Sequence, residues 1–210
     1  MVGGRGRLIA FEGIDGCGKS TQAASLAREI GAVSTREPGG TAVGRRLREI
    51  LLTADGMPVS GRAEALLMIA DRAQHVEEVV GPALDRGRWV VSDRFTGSTL
   101  AYQGYGRGLD LGDLEQLAAF ATGGLVPDLT ILIDLPPEEA RLRSGAREPD
   151  RLERLEEGFH HRVREGYLAL AASGGDRWAV VDGRGTVEEV ATAVRAVVGE
   201  RLEAGTGTAP

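Results

Sequence analysis

Leu8-Ile9-Ala10-Phe11-Glu12 runs directly into Gly13-Ile14-Asp15-Gly16-Cys17-Gly18-Lys19-Ser20-Thr21. The first five residues read as a buried strand. From Lys19 onward, Ala23, Leu26, Ala27 and Ile30 repeat at helical spacing and predict a helix to about residue 30. Between strand and helix, residues 13–20 match G-x-x-x-x-G-K-[ST] in the context that motif requires. Its glycines let successive backbone N–H groups turn inward toward phosphate oxygens, and the helix N-terminus adds its positive end. Gly13, Ile14, Asp15, Gly16, Cys17, Gly18, Lys19, Ser20 and Thr21 are therefore expected to bind the phosphates of ATP. Lys19 reaches the β- and γ-phosphates and Ser20 holds Mg²⁺. Lys19 is also the single lysine among 25 basic residues. A chain that uses arginine elsewhere keeps a compact ammonium where a planar fork does not substitute. Cys17 reads as a small residue filling the loop rather than as a redox switch.

Working outward, short apolar runs alternate with amphipathic helical stretches. Further strands are expected at Ala32–Arg36, Trp89–Ser92, Leu129–Asp134 and Trp178–Val181. Val43, Leu47, Ile50 and Leu51 outline a second helix, and Gly61–Asp85 reads as mostly helical, with Gly81-Pro82 bending or interrupting it. A closing helix starts at Thr186, where Thr186-Val187-Glu188-Glu189 has capping-box spacing. The expected fold is α/β: a five-stranded parallel sheet with helices on both faces, in one domain over 1–210, with a tail at about 204–210 left disordered. Ligands on such sheets bind beyond the carboxyl ends of the strands.

Composition narrows the classes. A formal charge of −6 argues against a bulk nucleic-acid binder. No apolar run approaches the ~18 residues that span a bilayer. The short Gly/Arg-rich start is no signal peptide, and one cysteine cannot form an internal disulfide. The expectation is a cytoplasmic protein with neither nucleic-acid nor membrane partners. A GTPase switch is disfavoured, because its Asn-Lys-x-Asp element needs a second lysine and Pro136-Pro137 follows the fourth strand.

Three further stretches refine the reading: Arg36-Glu37-Pro38-Gly39-Gly40-Thr41, Asp93-Arg94-Phe95-Thr96-Gly97-Ser98-Thr99-Leu100-Ala101-Tyr102-Gln103-Gly104, and Asp150-Arg151-Leu152-Glu153. Together with the phosphate loop, and in this order, they resemble the bacterial thymidylate kinase family of P-loop nucleoside-monophosphate kinases, from about residue 8 to 170. The resemblance implies ATP and dTMP as substrates, Mg²⁺ as cofactor and a homodimer. It implies that Asp15 bonds the deoxyribose 3′-hydroxyl and orders the loop, and that Arg94 and Arg48 hold the acceptor phosphate. Arg72 would read the pyrimidine edge, with Ser98 and Thr99 near the base. Tyr102 would pack under the sugar, with Gln103 in the same wall. Asp93 would assist with the metal or order Arg94. Met68 stands where the family often stacks an aromatic residue on thymine, and a thioether covers a ring without that stacking.

The resemblance also implies a small mobile lid at about 138–151. Family members keep a catalytic arginine either in the phosphate loop or in the lid. This loop carries Gly16-Cys17 where a basic residue could stand, so the catalytic cation is expected among the lid arginines Arg141, Arg143, Arg147 and Arg151, with Arg143 and Arg147 favoured beside Lys19, Arg94 and Asp15. The acceptor oxygen is already anionic and no general base is needed. His75, His160 and His161 are accordingly expected to be structural or exposed. Two other readings stay open on these residues. One is a same-fold kinase of another nucleotide or nucleoside, for which Met68 is the best argument. The other is a P-loop ATPase or regulator, which would consume ATP rapidly without an acceptor. The sequence assigns no role to Glu12 or Glu37. The apolar face of 110–122 reads as core first and subunit interface second.

Overall fold

The computed structural model of the chain describes residues 4–53, 58–144 and 150–203. Five parallel strands, β1 (Leu8–Glu12), β2 (Val33–Arg36), β3 (Val90–Asp93), β4 (Leu129–Asp134) and β5 (Trp178–Asp182), stand in the order β2-β3-β1-β4-β5. The strand carrying the phosphate loop is therefore central, and its register aligns Phe11 with Asp93 on one side and Ile131 on the other. Every residue of β1 is buried. Ile9 and Phe11 join a core with Ala23, Leu26 and Ala27 of helix α1 (Lys19–Glu29), while Leu8 and Ala10 pack with Val80, Ala83, Leu84, Val90 and Phe95. Helices thus cover both faces, as the continuous apolar strands require.

The strand boundaries shift by a residue for local reasons. The Ala32 N–H bonds Ala27 O to close the end of α1, so β2 begins at Val33. β3 and β5 each run one residue further than their apolar pattern, to Asp93 and Asp182. Helix α2 spans Ala42–Leu52 and α3 spans Gly61–His75. The expected break at Gly81-Pro82 takes the form of a π-helical segment, Val76–Val80, inserted between α3 and α4 (Gly81–Asp85). Its Gly81 N–H bonds Val76 O five residues back, which widens the helix just before a proline that has no N–H to give. A second π segment, Leu100–Gly106, extends the short α5 (Thr96–Thr99) and carries Tyr102 and Gln103. Helices α6 (Leu111–Thr122), α7 (Pro137–Ser144), α8 (Glu157–Ser173) and α9 (Val187–Val198) complete the fold. The capping box at Thr186 and Glu189 forms as its spacing implies. Among the described residues no helix is long and apolar enough to cross a membrane. The tail at 204–210 lies outside the described residues.

One buried carboxylate ties the periphery to this frame. Glu64 of α3, with no exposed surface, accepts from Gln103 Nε2 at 2.9 Å, Arg107 Nη2 at 2.9 Å and Arg151 Nη2 at 2.6 Å. Arg151 also donates Nε to Leu51 O at the end of α2. Burial pushes the Glu64 carboxyl up, but these donors outweigh it and leave it below the ordinary 4.5. Its contribution to stability is thus present above that value and lost as pH falls beneath it. Glu64→Ala leaves two arginines without their shared acceptor and is expected to lower the unfolding free energy by about 3–5 kcal/mol at neutral pH, measured by urea denaturation.

Candidate active site

Backbone geometry builds the phosphate loop first. Gly13, Gly16 and Gly18 have φ of 141°, 82° and 93°, and a Cβ on Gly13 would stand 2.6 Å from Ile133 O. The loop can lie against β4 only with glycine there. Lys19 is 5% exposed and folds back, its Nζ donating to Ile14 O at 3.3 Å and Asp15 Oδ1 at 3.4 Å. Cys17 is 2% exposed, and burial pushes its thiol up, which disfavours the reactive thiolate.

The loop after β3 meets this loop through Arg94, which adopts a left-handed backbone (φ 77°), an uncommon conformation for a residue with a side chain. Its fork donates Nη2 to Asp15 Oδ1 at 2.6 Å and Nη1 to Gly13 O at 3.1 Å, Ser98 Oγ at 3.0 Å and Tyr167 Oη at 3.0 Å. Tyr102 Oη donates to the other Asp15 oxygen at 2.6 Å. Burial opposes the charge on Asp15, yet Arg94 and Lys19 hold its carboxyl well below the usual carboxylate range. Arg94 is therefore paired with Asp15, not with its neighbour Asp93. Asp93 instead accepts from the Ser20 hydroxyl, and its Oδ1 is buried with no hydrogen-bond partner among the described residues. A hydroxyl beside a carboxylate oxygen with unmet capacity, next to a phosphate loop, fits Mg²⁺, which takes few protein ligands and shares the rest with phosphates and water.

Beneath the Arg94 loop lies Glu12, fully buried. It accepts from the backbone N–H groups of Phe95 and Ser98, from Ser98 Oγ and from Tyr167 Oη. Burial raises its carboxyl pKa. Glu12 and Tyr167 together set the path of residues 94–98. Tyr167 lies on α8, and nothing in its sequence surroundings marks it.

On one side of the Asp15–Arg94 pair a cleft opens. Asp15, Arg48, Met68, Arg72, Arg94, Ser98, Thr99, Tyr102 and Gln103 all line it, together with Glu37, Pro38, Leu52, Asp150 and Leu152. All nine residues expected around the acceptor thus share one wall system. Met68, Leu52 and Leu152 supply its apolar surface. Arg48 is half-buried rather than a solvated helix face; it donates to Pro38 O at 3.0 Å, and burial together with the nearby Arg36 lowers its pKa. Arg36, to which the sequence reading gave no separate role, lines a polar recess with Lys19, Ser20, Arg48, Asp93 and Arg94. That recess joins the cleft to a groove on the far side of the loop, lined by Gly16–Gln22, Arg143, Gly183, Gly185, Thr186 and Val187.

The lid arginines divide. Arg143 sits at the rim of that far groove, donating Nη1 to Gly183 O at 2.6 Å and Nη2 to Arg184 O at 2.9 Å. Arg141 is exposed. Arg147 lies outside the described residues. Arg151, grouped with the lid by sequence adjacency, is committed to Glu64 and Leu51 O instead. Of the histidines, His75 is fully buried, His160 stacks edge-on against Phe159, and His161 is exposed.

Asp71 of α3, close to the cleft, is displaced in the opposite direction to Asp15. Its Oδ1 accepts from Gly39 N–H at 3.0 Å, while Oδ2 is buried without a partner among the described residues. Burial, reinforced by Glu37, pushes its pKa from 3.8 up to about 6. Folding thus favours the protonated acid between those values, and the charged form is a cost above them. Asp71→Asn should raise the unfolding free energy by on the order of 2 kcal/mol at pH 7.5. The gain should shrink to less than about half by pH 4.5, read from denaturation midpoints at the two pH values.

Comparison with known proteins accords with this geometry. A family model described as "Thymidylate kinase" matches residues 11–194. The chain is 55% identical over 192 residues to a thymidylate kinase of Carboxydothermus hydrogenoformans, covering 89% of this chain and 93% of the relative. It is 48% identical over 195 residues to one of Cutibacterium acnes, covering 90% and 95%. The crystal structure of thymidylate kinase from Ehrlichia chaffeensis superposes with a TM-score of 0.77 at 32% identity, covering 92% of this chain and 98% of that one.

Proposed function

The chain belongs to the thymidylate kinase family, and we propose that its cleft holds dTMP while its far groove holds ATP, with the phosphates meeting between Lys19 and Arg94. It is a phosphoryl-transfer enzyme, and ATP is the donor its family implies. The observation that carries the assignment of sides is the Asp15–Arg94 pair, which stands where cleft and phosphate loop meet.

On this reading the acceptor phosphate enters beside Arg94 and Arg48, whose forks suit a phosphate's oxygens. Lys19 and the loop N–H groups take the donor phosphates. An anionic acceptor oxygen forms its bond to the γ-phosphorus as the bond to the β–γ bridging oxygen breaks, and the bridging oxygen leaves on ADP. No side chain need take a proton, consistent with three histidines that are buried in structure, stacked or exposed. Catalysis is then positioning and charge neutralisation. A bound Mg²⁺ would neutralise charge on the transferring phosphates, and Ser20 with Asp93 are the residues that would hold it. Arg143, at the rim of the donor groove, is the described lid arginine able to turn from its backbone carbonyls toward ATP, and Arg147 is its partner in that role. Arg72, Ser98, Thr99 and Gln103 surround the base, Met68 covers its face, and Tyr102 with Asp15 contacts the sugar.

We assign the enzyme to one domain, to the cytoplasm and to a homodimer. Support for the dimer comes from α3 and α6, which pack together: Leu114 and Ala118 face the core, but Leu66, Leu117 and Phe120 are exposed, the last by 86%. Expected outcomes follow for ADP release measured with Mg-ATP across a panel of nucleoside monophosphates. dTMP should stimulate strongly over dUMP, dCMP and the ribose counterpart, and acceptor-free turnover should be negligible. Equal stimulation by several acceptors would move the enzyme to another nucleotide. Arg94→Ala should lower kcat/KM for dTMP by about 100-fold or more, as loss of charged hydrogen bonds implies. Lys19→Ala should act mainly on ATP, and indistinguishable defects would remove the division of roles.

A further inference from the structure

Arg72 is 2% exposed and lines the acceptor cleft, yet most of its guanidinium is already engaged. Nε donates to Glu37 Oε2 at 2.8 Å, Nη1 to Thr99 Oγ1 at 2.9 Å and Nη2 to Phe95 O at 2.7 Å, with the fork 5.5 Å from the Phe95 ring centroid. Two N–H groups remain for a ligand. Their direction is set by the plane of the fork, which three acceptors hold, Glu37 being the carboxylate among them. What fixes Glu37 is His75, one helical turn beyond Asp71 and wholly buried. Its Nδ1 lies 2.8 Å from Glu37 Oε1, and its Nε2 lies 2.6 Å from Thr35 Oγ1. A carboxylate oxygen only accepts, so Nδ1 carries the proton.

We infer that His75 is a positioning residue for the acceptor nucleotide: it holds Glu37, and through Glu37 it sets the plane of the Arg72 fork against the nucleobase. The inference rests on the cleft being the dTMP site. Three observations carry it beyond ordinary core packing. His75 does not line the cleft, and both its ring nitrogens are engaged, by Glu37 and by Thr35, so its hydrogen-bonded route to a ligand runs through Glu37. The last turn of α3 grips the whole 37–40 loop, Asp71 holding the Gly39 N–H while His75 lies flush under Gly40, where a Cβ would come within 2.8 Å of His75 Cδ2. The chain Thr35–His75–Glu37–Arg72–Thr99 also links the end of β2 to α3 and α5, and its members Glu37, Arg72 and Thr99 line the cleft. In such a buried relay each bond is directional, and losing one lets the next group turn.

The test compares His75→Phe, which keeps the ring volume and removes both nitrogens, with His75→Asn, whose amide can stand in for Nδ1–H. For His75→Phe, KM for dTMP should rise about 10-fold or more, as for loss of a hydrogen bond to a charged group. KM for ATP should stay within about twofold, the preference for dTMP over dUMP and dCMP should fall, and His75→Asn should recover most of both. An unchanged KM for dTMP, a rise shared equally with ATP, or His75→Asn as impaired as His75→Phe would each overturn the inference. If neither variant binds ATP, and so has not folded, Glu37→Gln decides in their place: a selective rise in KM for dTMP supports the relay and none overturns it. Arg72→Ala, run alongside, separates the two readings. If it leaves KM for dTMP unchanged the cleft assignment fails, whereas a large rise with His75 silent sinks only the positioning role.

Discussion

The ion pair between Arg94 and Asp15 is the contact on which the rest of this site depends. It joins the turn after β1 to the turn after β3, beyond the ladder that pairs these two neighbouring parallel strands. To make it, Arg94 occupies a left-handed backbone that glycine would occupy without strain. The surroundings hold it there: Arg94 N–H bonds Phe11 O, and Glu12 pins Phe95 and Ser98 directly after it. Asp15 is kept ionised by the cations it organises. The pair is thus both a structural joint and the boundary between the cleft and the phosphate loop, so neither can be shaped independently of the other.

Around this joint the chain repeats one solution to the problem of buried charge. Glu12, Glu37 and Glu64 are each 5% exposed or less, and each is shared among several donors rather than matched to one. A single ion pair under these conditions repays its desolvation poorly. A carboxylate with both oxygens engaged holds several elements at fixed angles, and the geometry rather than the net stability is what the site needs. Arginine, with its rigid fork, is the partner in two of the three.

What the sequence made legible follows how local each signal is. The phosphate loop is contiguous, with strand, glycines, lysine and helix in order, so its place in the fold could be read without a structure. The strands of the sheet were visible as apolar runs, to within a residue at their ends. Of the residues expected around the acceptor, five lie in the motif after β3 and the others came from the resemblance position by position, and all nine line one cleft. The second tier was hidden because its partners are remote: Tyr167 meets Glu12 across 155 residues, and Arg151 meets Glu64 across 87. Arg151 looked like a lid residue because adjacency was the only guide. The partner of Arg94 was similarly obscured by Asp93 beside it. Such pairings depend on how helices pack over the sheet, and periodicity does not encode that.

The solitary lysine has a chemical consequence of its own. Lys19 carries the chain's only side-chain amine, and the fold shelters it within the phosphate loop, 5% exposed and turned toward Ile14 O and Asp15. Acylating reagents that modify lysine therefore meet a single side-chain target, and that target sits within the phosphate loop. Its labelling rate becomes a built-in reporter of nucleotide occupancy, undiluted by the surface amines that obscure such a signal in most enzymes.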